Sequence, residues 1–141
     1  MMYAERQLWI CGDIHGKLSN LVWKASRQLK IRNADILVVG DFGAGFGRPK
    51  FRRKKTEGLP EFVDIVVSHE APLLFEPPLI REKHVRDDTW KKIIESRRYL
   101  DFVLEKILPS QWFYGHYHNH YEGCFQGTHY HGLDIAEMVK V

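Results

Sequence analysis

Apolar and polar positions recur along this chain with two periods, and each period predicts an element. Residues about 6–11, centred on Leu8-Trp9-Ile10, read as a buried strand. Between Lys17 and Lys30, Leu18, Leu21, Val22, Ala25 and Leu29 follow helical spacing, with Ser19 or Asn20 near the start. Asp35-Ile36-Leu37-Val38-Val39-Gly40 is a β-branched apolar run, the pattern of a strand covered on both faces. Strand, helix and strand in this order predict a βαβ unit. Its two parallel strands end on one sheet edge, where α/β proteins build ligand sites.

The rest of the chain continues the alternation. Asp64-Ile65-Val66-Val67 predicts another strand, ending at Ser68-His69-Glu70-Ala71-Pro72, and Leu73 to Arg81, with its Pro77-Pro78 pair, predicts an ordered loop. From about Asp88 to Leu108 a helix is expected, with Trp90, Ile93, Ile94, Leu100, Val103, Leu104 and Ile107 on its apolar face. Asp87, Asp88 or Thr89 can cap it and Pro109 ends it. Ser96-Arg97-Arg98 interrupts the pattern, a point where the helix can divide in two, and both arginines read as surface charges. Gln111 to Gly115 is strand-like, and Tyr121 to Gln126, Thr128 to Leu133 and Ile135 to Val141 predict short antiparallel strands with turns at Gly127 and near Gly132.

Composition narrows the class. A chain of 141 residues, 44% hydrophobic and 13% aromatic, suits one globular domain over 1–141. The net charge of +3 is compatible with a small phosphorylated substrate and too slight for a nucleic-acid footprint. Six of the eight residues Arg48 to Lys55 are basic. A solvated loop is the favoured reading of that run, ahead of a nucleic-acid or phosphate-steering patch. No stretch has the length of a membrane span, and Met1 to Arg6 lacks an apolar signal core. Cys11 and Cys124 form no disulfide framework and are expected to be buried, reduced thiols, so the expected setting is cytoplasmic.

Candidate chemistry gathers at the predicted strand ends. Gly12-Asp13-Ile14-His15-Gly16 follows the first strand, Gly40-Asp41 the second, His69 the third, and Gly115-His116-Tyr117-His118-Asn119-His120 the fourth. Residues two apart on an extended backbone point the same way, so Asp13 pairs with His15, and His116, His118 and His120 are expected on one side. Mixed carboxylate and imidazole donors suit Mn, Fe, Zn or Ni better than Ca or Mg. His129 and His131 read as ordinary cross-strand residues.

In order and spacing, these four motifs resemble those of the calcineurin-like metallophosphoesterase superfamily. The resemblance implies an αββα sandwich of two packed mixed β-sheets flanked by helices, with the site at the strand ends. It implies that Asp13, His15 and His118 hold one divalent metal ion, that His69 and His116 hold a second, and that Asp41 bridges them, Mn being the expected ion. Catalysis would run through a metal-bound hydroxide placed by Asp13, His15 and Asp41, hydrolysing a phosphomonoester or phosphodiester. His120 has no role in that pattern. One departure stands out: 28 positions separate Asp41 from His69, and none carries the family's Gly-Asn-His-Asp/Glu segment. Its absence implies smaller sheets, a weaker second metal site and no leaving-group acid. The alternatives are an impaired metal-binding or scaffold module on the same fold, and a shortened chain that pairs its strand edges in a homo-oligomer.

Overall fold

The computed structural model describes residues 6–41, 63–77 and 85–141, and the account of the fold rests on these. The basic run Arg48 to Lys55 and the end of the Leu73 to Arg81 segment lie outside the described residues. The chain is mixed α/β, with two mixed sheets and few helices.

The first sheet has three strands. β1 (Gln7–Cys11) lies in the centre, parallel to β2 (Ala34–Val38) and antiparallel to β7 (Met138–Lys140). Between β1 and β2 runs α1 (Leu18–Trp23), continued by a π-helical stretch, Lys24–Gln28, closed by the Leu29 amide on the Lys24 carbonyl at 2.9 Å. The second sheet has the order β3 (Ile65–Ser68), β4 (Gln111–Tyr114), β6 (Thr128–Gly132), β5 (Tyr121–Phe125). β4 is parallel to both neighbours, whereas β5 and β6 form an antiparallel hairpin.

The expected βαβ unit is therefore present, but β2 is not covered on both faces. Among the described strands it lies at a sheet edge. Ile36 and Val38 pack inward with Cys11, Ile14 and Leu21, while Asp35 and Leu37 face outward and are exposed. The helix before it buries only Leu21 of the five apolar positions, and Leu18 and Val22 are exposed. Among the described residues this sheet has three strands, and its face leaves most of the stripe uncovered.

The final strands depart from a simple meander. After β6 the chain leaves the hairpin sheet, and β7 pairs with β1 in the first sheet. Along that connection the Leu133 amide donates to Tyr114 O, the Ala136 amide to Asp13 O and the Gly12 amide to Glu137 O, each at 2.8–2.9 Å.

β4 shows why the two sheets stay together. Its residues alternate faces. Phe113 joins Ile10, Val39 and Leu133 from the side of the first sheet, whereas Trp112 and Tyr114 pack with Phe75, Leu104 and Tyr130. α2 (Asp87–Ile107) covers that second cluster. It is one unbroken helix of 21 residues, with no division at Ser96. Arg86 occupies the cap position with no side-chain capping bond, its Nε lying 3.2 Å from Asp88 Oδ1, and Asp87 and Asp88 act on the helix dipole from within the first turn. Leu108 then turns left-handed ahead of Pro109.

Arg97 overturns its surface reading. It is fully buried, because positions 97, 100 and 104 lie on the side of α2 that packs on the cluster of Tyr114 and Tyr117 rather than on water. Cys11 is buried as expected, but Cys124 is exposed, since its side of β5 faces solvent.

Candidate metal centre

Parallel pairing brings the predicted ligands to common sheet edges. The register sets Cys11 beside Val38 and Ser68 beside Tyr114, so Asp13 and Asp41 leave neighbouring strands at one edge, and His69 and His116 leave neighbouring strands at another. Backbone bonds fix the loops: the Ile14 and His15 amides both donate to Asp41 O, at 3.1 and 2.9 Å.

Asp13 joins the two sheets. Its side chain is fully buried, with Oδ1 accepting the His116 amide at 2.8 Å and Oδ2 lying 2.9 Å from His118 Nε2. Gly40 and Gly115 leave it room: a Cβ at Gly40 would overlap Oδ1, and one at Gly115 would lie 2.6 Å from it. Gly40 also has φ +93, which an L side chain rarely adopts.

Two groups of donors converge. Asp13, His15 and His118 form the first, and Asp41, His69 and His116 the second, each with ligand atoms within 4.8 Å of one another. In the first, His15 Nε2 lies 2.9 Å from His118 Nε2 and 3.8 Å from Asp13 Oδ2. With the 2.9 Å Asp13–His118 distance, the three atoms fall on a circle of radius about 1.9 Å, so a single point can stand about 2.0–2.2 Å from all of them. The donor set and spacing fit a divalent transition metal. The second group is looser and wholly exposed: His69 Nε2 is 4.0 Å from Asp41 Oδ1, close to the widest separation two ligands of one such ion can have.

The six candidates fall into these two groups, with Asp41 in the second alone and not shared between them, and the alternation does not explain the sorting. His116 and His118 are not extended. Both have positive φ, 73° and 50°, as does His15 at 47°. The turn sends His116 to the Asp41 group and His118 to the Asp13 group. His120 goes to neither and bonds Glu137 through Nδ1 at 2.7 Å. For non-glycine residues a left-handed backbone costs about 1–2 kcal/mol each, and such strain concentrates at functional sites.

Three residues of the site escaped the sequence reading. Glu70, next to His69, turns one oxygen to His116 Nε2 at 3.3 Å and accepts the Tyr117 hydroxyl on the other at 2.7 Å. Arg97 Nε donates to Ala71 O at 2.9 Å and lies 3.9 Å from that second oxygen. The Tyr117 phenol is held well above its ordinary range, first by burial and then by the Glu70 charge beside it. The usable signals were an acidic residue directly after His69, and an arginine at an apolar position of the α2 stripe.

No family model, curated protein or solved structure matches this chain.

Proposed function

We propose that this chain is a metal-dependent phosphoesterase of the calcineurin-like type, on a reduced αββα sandwich. The observation that carries the reading is the first donor group. Asp13, His15 and His118, 103 and 105 residues apart in sequence, bring their ligand atoms to the spacing of one coordination shell. The layering of α1, two sheets sharing the Ile10–Phe113 cluster, and α2 supports the sandwich.

Asp13, His15 and His118 would hold one ion, Mn by preference. Asp41, His69 and His116 would hold a second, more weakly, with Asp41 between the two. The ions would supply Lewis acidity to a phosphoryl oxygen and lower the pKa of water to a useful range. The chain's own part is placement: buried Asp13 is anchored by the His116 amide, and Asp41 O takes two amides from the Asp13–His15 loop. Without the Asn-His segment, substrates whose leaving groups depart unprotonated are favoured. Cys11 and Cys124 are both unpaired, in keeping with the cytoplasmic setting we assign. Among the described residues no helix is long and apolar enough to cross a membrane.

The loose, exposed second group favours one competing reading, a metal-binding or scaffold module without turnover. Hydrolysis of bis(p-nitrophenyl) phosphate with Mn2+, compared between wild type and Asp41→Asn, separates them. Turnover that needs the ion and falls at least about tenfold in the variant is expected. Equal inactivity of both proteins with tight Mn2+ binding would establish the module instead.

A further inference from the structure

His116 has two ring nitrogens, and a neutral imidazole can offer a lone pair to an ion from only one of them. Glu70 Oε1 faces Nε2 at 3.3 Å. Glu70 does not itself join the Asp41–His69–His116 donor group, so it stands beside that group rather than in it. Its carboxylate is held from behind, where Oε2 accepts the Tyr117 hydroxyl at 2.7 Å and the buried Arg97 guanidinium lies 3.9 Å away. Arg97 is held in turn by the Ala71 carbonyl, and its guanidinium carbon lies over the Tyr117 ring, 5.4 Å from the centroid. A carboxylate tethered on its far side by the buried Arg97 and the half-buried Tyr117 is held so that its near side stays in one place.

We infer that Glu70 is a positioning residue for the second donor group: its Oε1, 3.3 Å from His116 Nε2, favours the proton on that nitrogen, fixes the ring's tautomer and leaves the lone pair on Nδ1 for an ion. Tyr117 and Arg97 hold Glu70 for that task. The inference rests on the metal-binding reading of the second group, but the tautomer is a property of the metal-free chain and is measurable without an ion. Orientation of a ligating histidine by a carboxylate is worth about 10–100-fold in metal affinity.

The test uses the full chain and two variants, Glu70→Gln and Tyr117→Phe. Ring nitrogen NMR at about pH 8.5, where unperturbed imidazole is neutral, reads the His116 tautomer without metal. The wild type is expected to carry the proton on Nε2. Glu70→Gln, left with one acceptor oxygen for two donors, is expected to shift His116 towards the Nδ1–H form. Calorimetry with Zn2+ then reads the sites separately: the tighter site is expected to keep its affinity in Glu70→Gln, while the weaker site loses about 10–100-fold. Tyr117→Phe, which loosens Glu70 without altering its charge, is expected to show a smaller loss at the same site. An Nδ1–H tautomer in the wild type, or an unchanged tautomer in both variants, overturns the inference. Unchanged weak-site affinity in both variants does the same. If the wild type has the expected tautomer but binds no Zn2+, the phosphoesterase reading falls while the orientation of His116 stands. Should Glu70→Gln not fold, Tyr117→Phe alone decides by both readouts.

Discussion

Gly40 and Asp13 occupy adjoining space so closely that a Cβ on the glycine would overlap the aspartate's Oδ1. That oxygen is the one bonded to the His116 amide, so the missing side chain on β2's exit loop is what lets Asp13 reach the second sheet. Gly40→Ala meets both this overlap and a φ of +93. It is expected to lower unfolding stability by about 2–4 kcal/mol. Urea denaturation checks this, and a change below about 0.5 kcal/mol, typical of an inert surface site, would contradict the packing described.

Binding of an ion to the folded chain alone must raise its stability. At a free Mn2+ concentration 100 times the Kd, the gain is about 2.7 kcal/mol, an upward shift in Tm of roughly 10 °C for a domain of this size. Asp13→Asn and His118→Ala each remove an atom from the tight donor group and are expected to abolish the shift. Chelation is expected to reverse it in the wild type. Scanning fluorimetry with and without EDTA reads all of these, and a shift that survives both substitutions would place the ion elsewhere.

Arg97 is fully buried, yet among the described residues both terminal guanidinium nitrogens lack a hydrogen-bond partner. Its stem fills the α2 stripe while its head is only partly compensated. Arg97→Ala is expected to cost about 3–4 kcal/mol through the cavity it opens, and Arg97→Met, which refills the stem's volume, to recover most of that. Equal destabilisation by the two changes would show that the charge, not the volume, matters there.

Alkaline conditions test the aromatic core. Burial raises the phenols of Tyr114, Tyr117 and Tyr130 above their ordinary value of 10.0, and pushes the Cys11 thiol up to about 11 from 9.0. All four stay neutral in the folded chain at a pH where the unfolded chain has begun to lose those protons. Their contribution is therefore complete below about pH 9 and is lost as pH rises from 9.0 through about 11 for Cys11, and from 10.0 upward through their raised values for the tyrosines. Tyrosinate absorbance is expected to rise for these three residues together with unfolding, not gradually before it. A smooth titration of all six tyrosines in the folded chain would show that they are not held.

The elements were legible because their signals are local. Periodicity located β1, β2, β3 and α2 to within a residue or two, and the turn at Gly127 stands where the residue type predicts it. The burial of β2 and of the helix before it was not legible, because coverage depends on how many strands lie alongside. Nor was the fate of Arg97, whose charge outweighed its place in the α2 stripe until Tyr117 and Glu70 were seen to surround it.

The candidate donors belong to the chain's order of residues: an acid or imidazole follows each of four strand ends, and no folding is needed to see it. Which ligand meets which is decided by the left-handed turns at His116 and His118, which send neighbours in sequence to different donor groups. A period-two argument assumes extended backbone, and a turn breaks that assumption. The same holds for Glu70, whose role depends on a ring nitrogen and a hydroxyl brought to it from positions 116 and 117 by the parallel pairing of β3 with β4.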